Sequence, residues 1–108
     1  MNYVITGRVR KGKGYGRKIG YPTVNINNKT KIKRGIYTGI VTLGNKTYSA
    51  GIVIRENAEA HLVGYKGNAY DKEVTLEIKK FIRKFKKFKT EKELIAQIKK
   101  DLIICSQA

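Results

Sequence analysis

Apolar residues recur along this chain at two different periods, and the change of period divides it. Up to about residue 82 they fall in short β-branched runs or alternate with polar residues, as strands do. Tyr3 to Val9 is the first such run, closed by Arg10, Lys11 and Gly12. Tyr21 to Ile26 is extended, because Pro22 biases Tyr21 away from the helical region. Gly35 to Leu43 and Lys46 to Ile54 are separated by Gly44-Asn45. Glycine first is what a two-residue type II′ turn requires, so the pair reads as an antiparallel hairpin. After the polar Arg55-Glu56-Asn57 comes a further strand, Ala58 to Tyr65, ended by Lys66-Gly67-Asn68. Glu73 to Ile82 alternates, with Val74, Leu76 and Ile78 on one face and Glu73, Thr75, Glu77 and Lys79 on the other.

The end of the chain switches to the helical period. Thr90 and Glu93 have capping-box spacing. Leu94, Ile95, Ile98 and Leu102 then recur in steps of three and four, which predicts an amphipathic helix from about Glu91 to Ile104. Several short antiparallel strands and one terminal helix predict a mainly β fold. A closed or nearly closed barrel with the helix packed on it also removes exposed strand edges. With 108 residues and one such core, residues 1–108 read as a single domain.

Charge changes the picture of the surface. Lys and Arg number 24 against 8 Asp and Glu, a net charge of +16. That draws anions such as nucleotides, nucleic acids and acidic lipids. Most of the excess is lysine, however, which also serves plain solubility, so no specific nucleic-acid partner is expected. The single cysteine, Cys105, excludes an intrachain disulfide and suits a reducing compartment. No apolar run approaches the ~20 residues that span a bilayer. The expectation is a cytoplasmic monomer acting on small molecules, with no membrane partner.

Candidate chemistry begins in Gly12-Lys13-Gly14-Tyr15-Gly16-Arg17-Lys18-Ile19-Gly20. Glycines let backbone N–H groups approach a phosphate, and the cations add charge. No Gly-Lys-Ser/Thr closes this loop, so it is not a P-loop, and Pro22 stands where a dinucleotide-binding helix would start. By itself such a loop is as well described as a basic hairpin tip. Pro22-Thr23-Val24-Asn25 adds to it. Residues two apart in an extended segment share a face, so Thr23 and Asn25 present a hydroxyl and an amide oxygen side by side. Hard neutral oxygens suit Mg²⁺, which takes its other ligands from water and substrate phosphates.

The stretch from Gly16 to Ile26 resembles the riboflavin kinase (flavokinase) signature G-R-x-L-G-x-P-T-A-N-I. Gly35-Ile36-Tyr37 resembles the G-V-Y strand of that family, and Glu59-Ala60-His61-Leu62 its E-x-H-L segment. Ala69 to Glu73 resembles L-Y-G-K, and Ile82-Arg83 with Phe88 resembles I-R…F before a final helix. The resemblance covers nearly the whole chain. It implies a closed six-stranded antiparallel barrel, Greek-key-like, with one C-terminal helix. The activity it implies is phosphoryl transfer from ATP, with Mg²⁺, to the ribityl 5′-hydroxyl of riboflavin, giving FMN. Gly12, Gly16, Arg17 and Gly20 would then bind nucleotide together with Thr23 and Asn25, which would also hold the metal. Glu59 would be the base, and Arg83 would lie on a flap near the substrate. The likeness is to the C-terminal kinase domain of bifunctional bacterial FAD synthetases. With no adenylyltransferase domain preceding it, the chain alone is not expected to make FAD.

The chain departs from the family pattern at Val24, usually Ala, and at Asp71, usually Gly, and in a shortened stretch before Glu59. The last departure motivates an alternative, a flavin- or nucleotide-binding module with weak or lost catalysis. A second alternative, a basic nucleic-acid-binding barrel, rests on the charge and on Lys79 to Lys89, where cations alternate with Phe81, Phe85 and Phe88. Their three-to-four-residue spacing reads more simply as one buried face. His61, the only histidine, reads as structural, and neither it nor Cys105 has the partners a zinc site needs.

Overall fold

A computed structural model of the chain describes residues 3–10, 23–26, 31–65 and 69–107. The strands are β1 (Tyr3–Arg10), β2 (Val24–Ile26), β3 (Gly35–Leu43), β4 (Lys46–Ile54), β5 (Ala58–Leu62) and β6 (Glu73–Arg83). One helix follows, α1 (Glu91–Gln107). The six strands close into a barrel in the order β1-β2-β5-β4-β3-β6. Every neighbouring pair is antiparallel. The β3–β4 hairpin turns at Gly44, whose φ is +65°. Asn45 has no such conformation, as the type II′ geometry requires.

Alternation builds the interior. Val41, Ile52, Ile54, Leu76 and Ile78 are fully enclosed, and the small Ala50, Ala58 and Ala60 fill the narrower positions between them. The run expected to reach Tyr65 ends as a strand at Leu62, because the chain turns at Val63 and Gly64, where φ is +80°. The helix runs three residues past the expected Ile104. Its start is capped as the spacing implies. The Glu93 amide donates to Thr90 Oγ1 (3.2 Å), while Glu93 Oε2 accepts from the Lys89 amide (3.2 Å).

Two features of β6 decide what the site end of the barrel looks like. Its register against β3 shifts twice, between Ile36 and Tyr37 and between Tyr37 and Gly39. The Lys80 amide at this irregularity donates to Oγ1 of the buried Thr38 (3.2 Å). A bulge re-aims the side chains that follow it. Beyond it Phe81 is aligned with Tyr37, and the two rings meet edge-on at 5.3 Å. Phe81, at the barrel's end, and Phe85, beyond it, are exposed, at 38% and 40%, rather than members of a buried face. Their three-to-four-residue spacing suggested the opposite, because it presumes a helical repeat, whereas Phe81 lies in β6 and residues 84–88 belong to neither strand nor helix.

Helix α1 lies on the outside of β4 and β3. Gly51 lets it approach, since a Cβ there would touch Leu102 at 3.4 Å and Cys105 Sγ at 3.6 Å. Cys105 is enclosed by this packing. Burial, with a smaller contribution from the Asp101 carboxylate, pushes its thiol up to about 11. An unfolded thiol ionises near ~8.5. Below that pH both states hold the proton and the contribution to stability is fully present. Above it the unfolded chain ionises first, so stability falls as pH rises toward the folded value of about 11. Urea unfolding midpoints measured across this alkaline range are expected to fall more steeply for the wild type than for Cys105→Ala. Parallel slopes would remove Cys105 from the account.

Candidate active site

The outer face of β2 and β5 gathers the residues singled out from the sequence. Val24 and Ile26 point into the core, so Thr23 and Asn25 lie on the outside. On β5, Ala58, Ala60 and Leu62 are buried, which turns Glu59 and His61 outward and leaves both half-buried. β2 pairs with β5 in a register that sets Asn25 opposite Glu59. The Thr23 hydroxyl donates to Glu59 Oε1 at 2.7 Å. A hydroxyl, an amide and a carboxylate thus form one cluster, drawn from two strands that are not neighbours in the chain.

The donor set is all oxygen on the acceptor side: a hydroxyl, an amide carbonyl and a carboxylate. Mg²⁺ prefers hard oxygens of this kind and keeps sites open for water and phosphate, so the residues fit it. Among the described residues no group of three or more His, Cys, Asp or Glu side chains comes together. A soft or all-protein metal site therefore has no support there.

Arg10 is a neighbour that the sequence did not single out. It ends β1 directly opposite Asn25, so Arg10, Asn25 and Glu59 form a row across three strands. Inward-facing Ile5 and Val9 already implied an outward Arg10. Nothing in the sequence said which strand would lie beside it. Its guanidinium sits 3.6 Å from the Asp71 carboxylate, with both side chains well exposed. Asp71 has a φ of +64°, so this residue keeps the left-handed turn that the glycine usual at this position would adopt freely. The Arg8 guanidinium donates to its carbonyl at 2.9 Å.

Arg83 is not part of the cluster. It lies opposite Ile36 on β3, which faces Val53 on β4, which faces Glu59 on β5. Three strand spacings of about 4.8 Å each separate it from Glu59 along the sheet. Its guanidinium is committed to helix α1, donating to the buried Asp101 through Nε (3.2 Å) and Nη2 (2.9 Å). Gln97 Nε2 also donates to that carboxylate, at 3.0 Å. The fork clamps the end of β6 to the helix. Gly12, Gly16, Arg17 and Gly20 lie outside the described residues.

A family model described as Flavokinase, riboflavin kinase, matches residues 1–108. The chain belongs to the riboflavin kinase family. It is 30% identical over 113 residues to the bifunctional riboflavin kinase/FMN adenylyltransferase of Escherichia coli, covering 92% of this chain and 36% of that protein. It is 29% identical over 111 residues to a Bacillus subtilis protein named RNA-binding riboflavin kinase RibR, covering 92% of this chain and 48% of that one. The chain thus spans less than half the length of these curated relatives. Among solved structures, riboflavin kinase from Trypanosoma brucei superposes with a TM-score of 0.74 at 18% identity, covering 98% of this chain and 78% of that one. A Streptococcus pneumoniae structure titled as a macrolide-efflux protein gives 0.90 at 23% identity, covering 97% of this chain and 38% of that one. At those identities the two structures speak for the barrel alone. For this riboflavin kinase family member, no helix among the described residues is long and apolar enough to cross a membrane.

Proposed function

We propose that this chain transfers the terminal phosphoryl group of ATP to the ribityl 5′-hydroxyl of riboflavin, giving FMN, as a cytoplasmic monomer. The observation that carries this reading is the cluster on β2 and β5, where Thr23 donates to Glu59 and Asn25 stands opposite it. Family membership supplies the substrate class.

The division of labour follows from the chemistry of each group. Thr23 and Asn25 offer neutral oxygens to a Mg²⁺ ion carried in with the triphosphate. The metal supplies charge neutralisation for the transferring phosphoryl group. The basic glycine loop, with Gly12, Gly16, Arg17 and Gly20, is assigned to the nucleotide phosphates. Glu59 faces the acceptor and takes the hydroxyl proton as the new oxygen–phosphorus bond forms. The old bridging bond breaks and its electron pair leaves with the nucleoside diphosphate. Through its hydrogen bond, Thr23 holds the Glu59 carboxylate beside the phosphate end of the site. Arg83, the last residue of β6, is assigned a substrate-side role, anchored by Asp101.

Purified protein incubated with riboflavin, Mg²⁺ and each nucleoside triphosphate is expected to form FMN with ATP, and to form none once Mg²⁺ is chelated. Chromatographic separation of the flavins reads the result. Folded protein that makes no FMN with any triphosphate would favour the catalytically silent binding module. Thr23→Ala and Asn25→Ala should both weaken nucleotide–Mg²⁺ binding, measured by calorimetry, and lower turnover with it. Unchanged binding in both variants would move the metal elsewhere.

A further inference from the structure

Arg83 apart, the cations and rings after the β6 bulge form a surface to which the kinase reading gives no role. Phe81 sits at the barrel end, with its edge over Gly35, where a Cβ would come within 2.5 Å of the ring. Lys33 Nζ lies 4.9 Å above its centroid. Phe85 carries the Arg55 guanidinium at 4.9 Å. Lys84 and Lys86 flank Phe85 and are exposed, as are Lys33 and Arg55. Strand pairing explains the convergence. β3 begins and β4 and β6 end at this rim of the barrel, which brings Lys33, Arg55 and Lys84 together from three distant parts of the chain. Of the acidic side chains nearby, Glu56 lies 3.9 Å from Arg34, and Asp101 is buried and committed to Arg83. Exposed cations, Lys33, Arg55, Lys84 and Lys86, thus stand beside exposed aromatic faces.

We propose that this rim is a binding surface for single-stranded nucleic acid, read without sequence preference. Exposed rings and guanidinium planes are platforms on which any base can stack, and flanking lysines follow the phosphates. A cation already seated on a ring leaves the outer face of the guanidinium free to stack, so Arg55 over Phe85 makes a layered platform rather than a blocked one. The same seating argues against an acidic membrane as the partner, because driving Phe81 or Phe85 into acyl chains would drag Lys33 or Arg55 in with it. A duplex fits less well, since its bases are already stacked and a rim of rings offers it nothing beyond charge.

Fluorescence anisotropy of the intact chain with a labelled oligouridine, and with a duplex of equal length, tests this over a series of salt concentrations. The single strand should bind more tightly than the duplex. Phe85→Ala should lower affinity for the single strand by about tenfold with its salt dependence unchanged, since stacking and not charge is lost. Phe85→Leu, which keeps apolar bulk and packing, should lose nearly as much. Lys84→Ala with Lys86→Ala should flatten the salt dependence, lowering its log–log slope by about 0.7 for each phosphate no longer neutralised. A control removing Lys92, Lys99 and Lys100 on the exposed side of α1 should change affinity far less. The proposal is overturned if duplex binds as well as single strand, or if the helix control costs as much as the rim variants. It is equally overturned if Phe85→Leu binds like the wild type, or if phosphatidylserine vesicles are bound and the oligonucleotide is not.

Discussion

Glu59→Gln is expected to slow riboflavin phosphorylation by about 10²–10⁴-fold, the range over which a positioned general base contributes. The substitution isolates basicity. Glutamine keeps the length and shape of the side chain, and its amide oxygen can still accept from Thr23 Oγ1, so the hydrogen bond that ties β5 to the segment before β2 survives. Nucleotide binding should therefore stay close to wild type while the chemical step falls. A loose phosphoryl-transfer transition state asks less of a base, which places the effect toward the lower end of that range. Single-turnover kinetics read the chemical step, and calorimetry with the Mg²⁺ nucleotide reads binding. A wild-type rate would make β5 scaffold only. Loss of nucleotide binding would assign Glu59 to the metal with Thr23 and Asn25, an arrangement that their proximity makes a real alternative.

That proximity marks the limit of what the sequence could say about the site. Thr23 and Asn25 share a face because strands alternate, and Glu59 and His61 share one for the same reason. Both statements concern one strand each. The pairing of β2 with β5 joins segments more than 30 residues apart, and no local pattern encodes it. The family resemblance named all three residues, yet as a metal pair and a separate base, whereas Thr23 bonds directly to the carboxylate. Arg10 shows the same limit, since its outward direction was legible and its position beside Asn25 was not.

The fold was legible where local signals agreed. The β3–β4 hairpin follows from two alternating runs and a glycine-first turn, and α1 starts where its capping residues stand. The closed six-stranded barrel came from the resemblance, and the strand order around it, not derivable from periodicity, comes from the structure. The segment from Lys79 to Lys89 misled for a definite reason. Its buried-face reading came from the three-to-four-residue spacing of Phe81, Phe85 and Phe88, a helical repeat, whereas Phe81 lies in β6 between two register shifts and Phe85 in an irregular stretch. A bulge of this kind depends on Thr38, a residue 42 positions earlier whose hydroxyl takes the Lys80 amide.

The same region carries the largest expected loss of stability. Gly39 lies opposite Ala50 on β4 and Ile78 on β6, next to the second register shift. A Cβ there would stand 2.3 Å from Ile52 Cδ1 and 2.4 Å from the Glu77 carbonyl oxygen. The isoleucine could turn away only into a filled core. The carbonyl cannot move without opening the β3–β6 ladder. Gly39→Ala should therefore cost about 3 kcal/mol or more, at or beyond the upper end of ordinary overpacking. Gly44→Ala provides the contrast. Nothing lies within 4 Å of a Cβ at that turn, and the cost arises only from its φ of +65°. A left-handed alanine is penalised by roughly 1 kcal/mol. Urea unfolding of the two variants beside the wild type measures both. In an open strand position, glycine-to-alanine would be favourable by about 0.5–1 kcal/mol, so the sign at Gly39 is diagnostic. If Gly39→Ala stabilises the protein, or costs less than Gly44→Ala, then β3 and β6 do not approach each other so closely at Glu77, and the register shift that sets Phe81 beside Tyr37 goes with them.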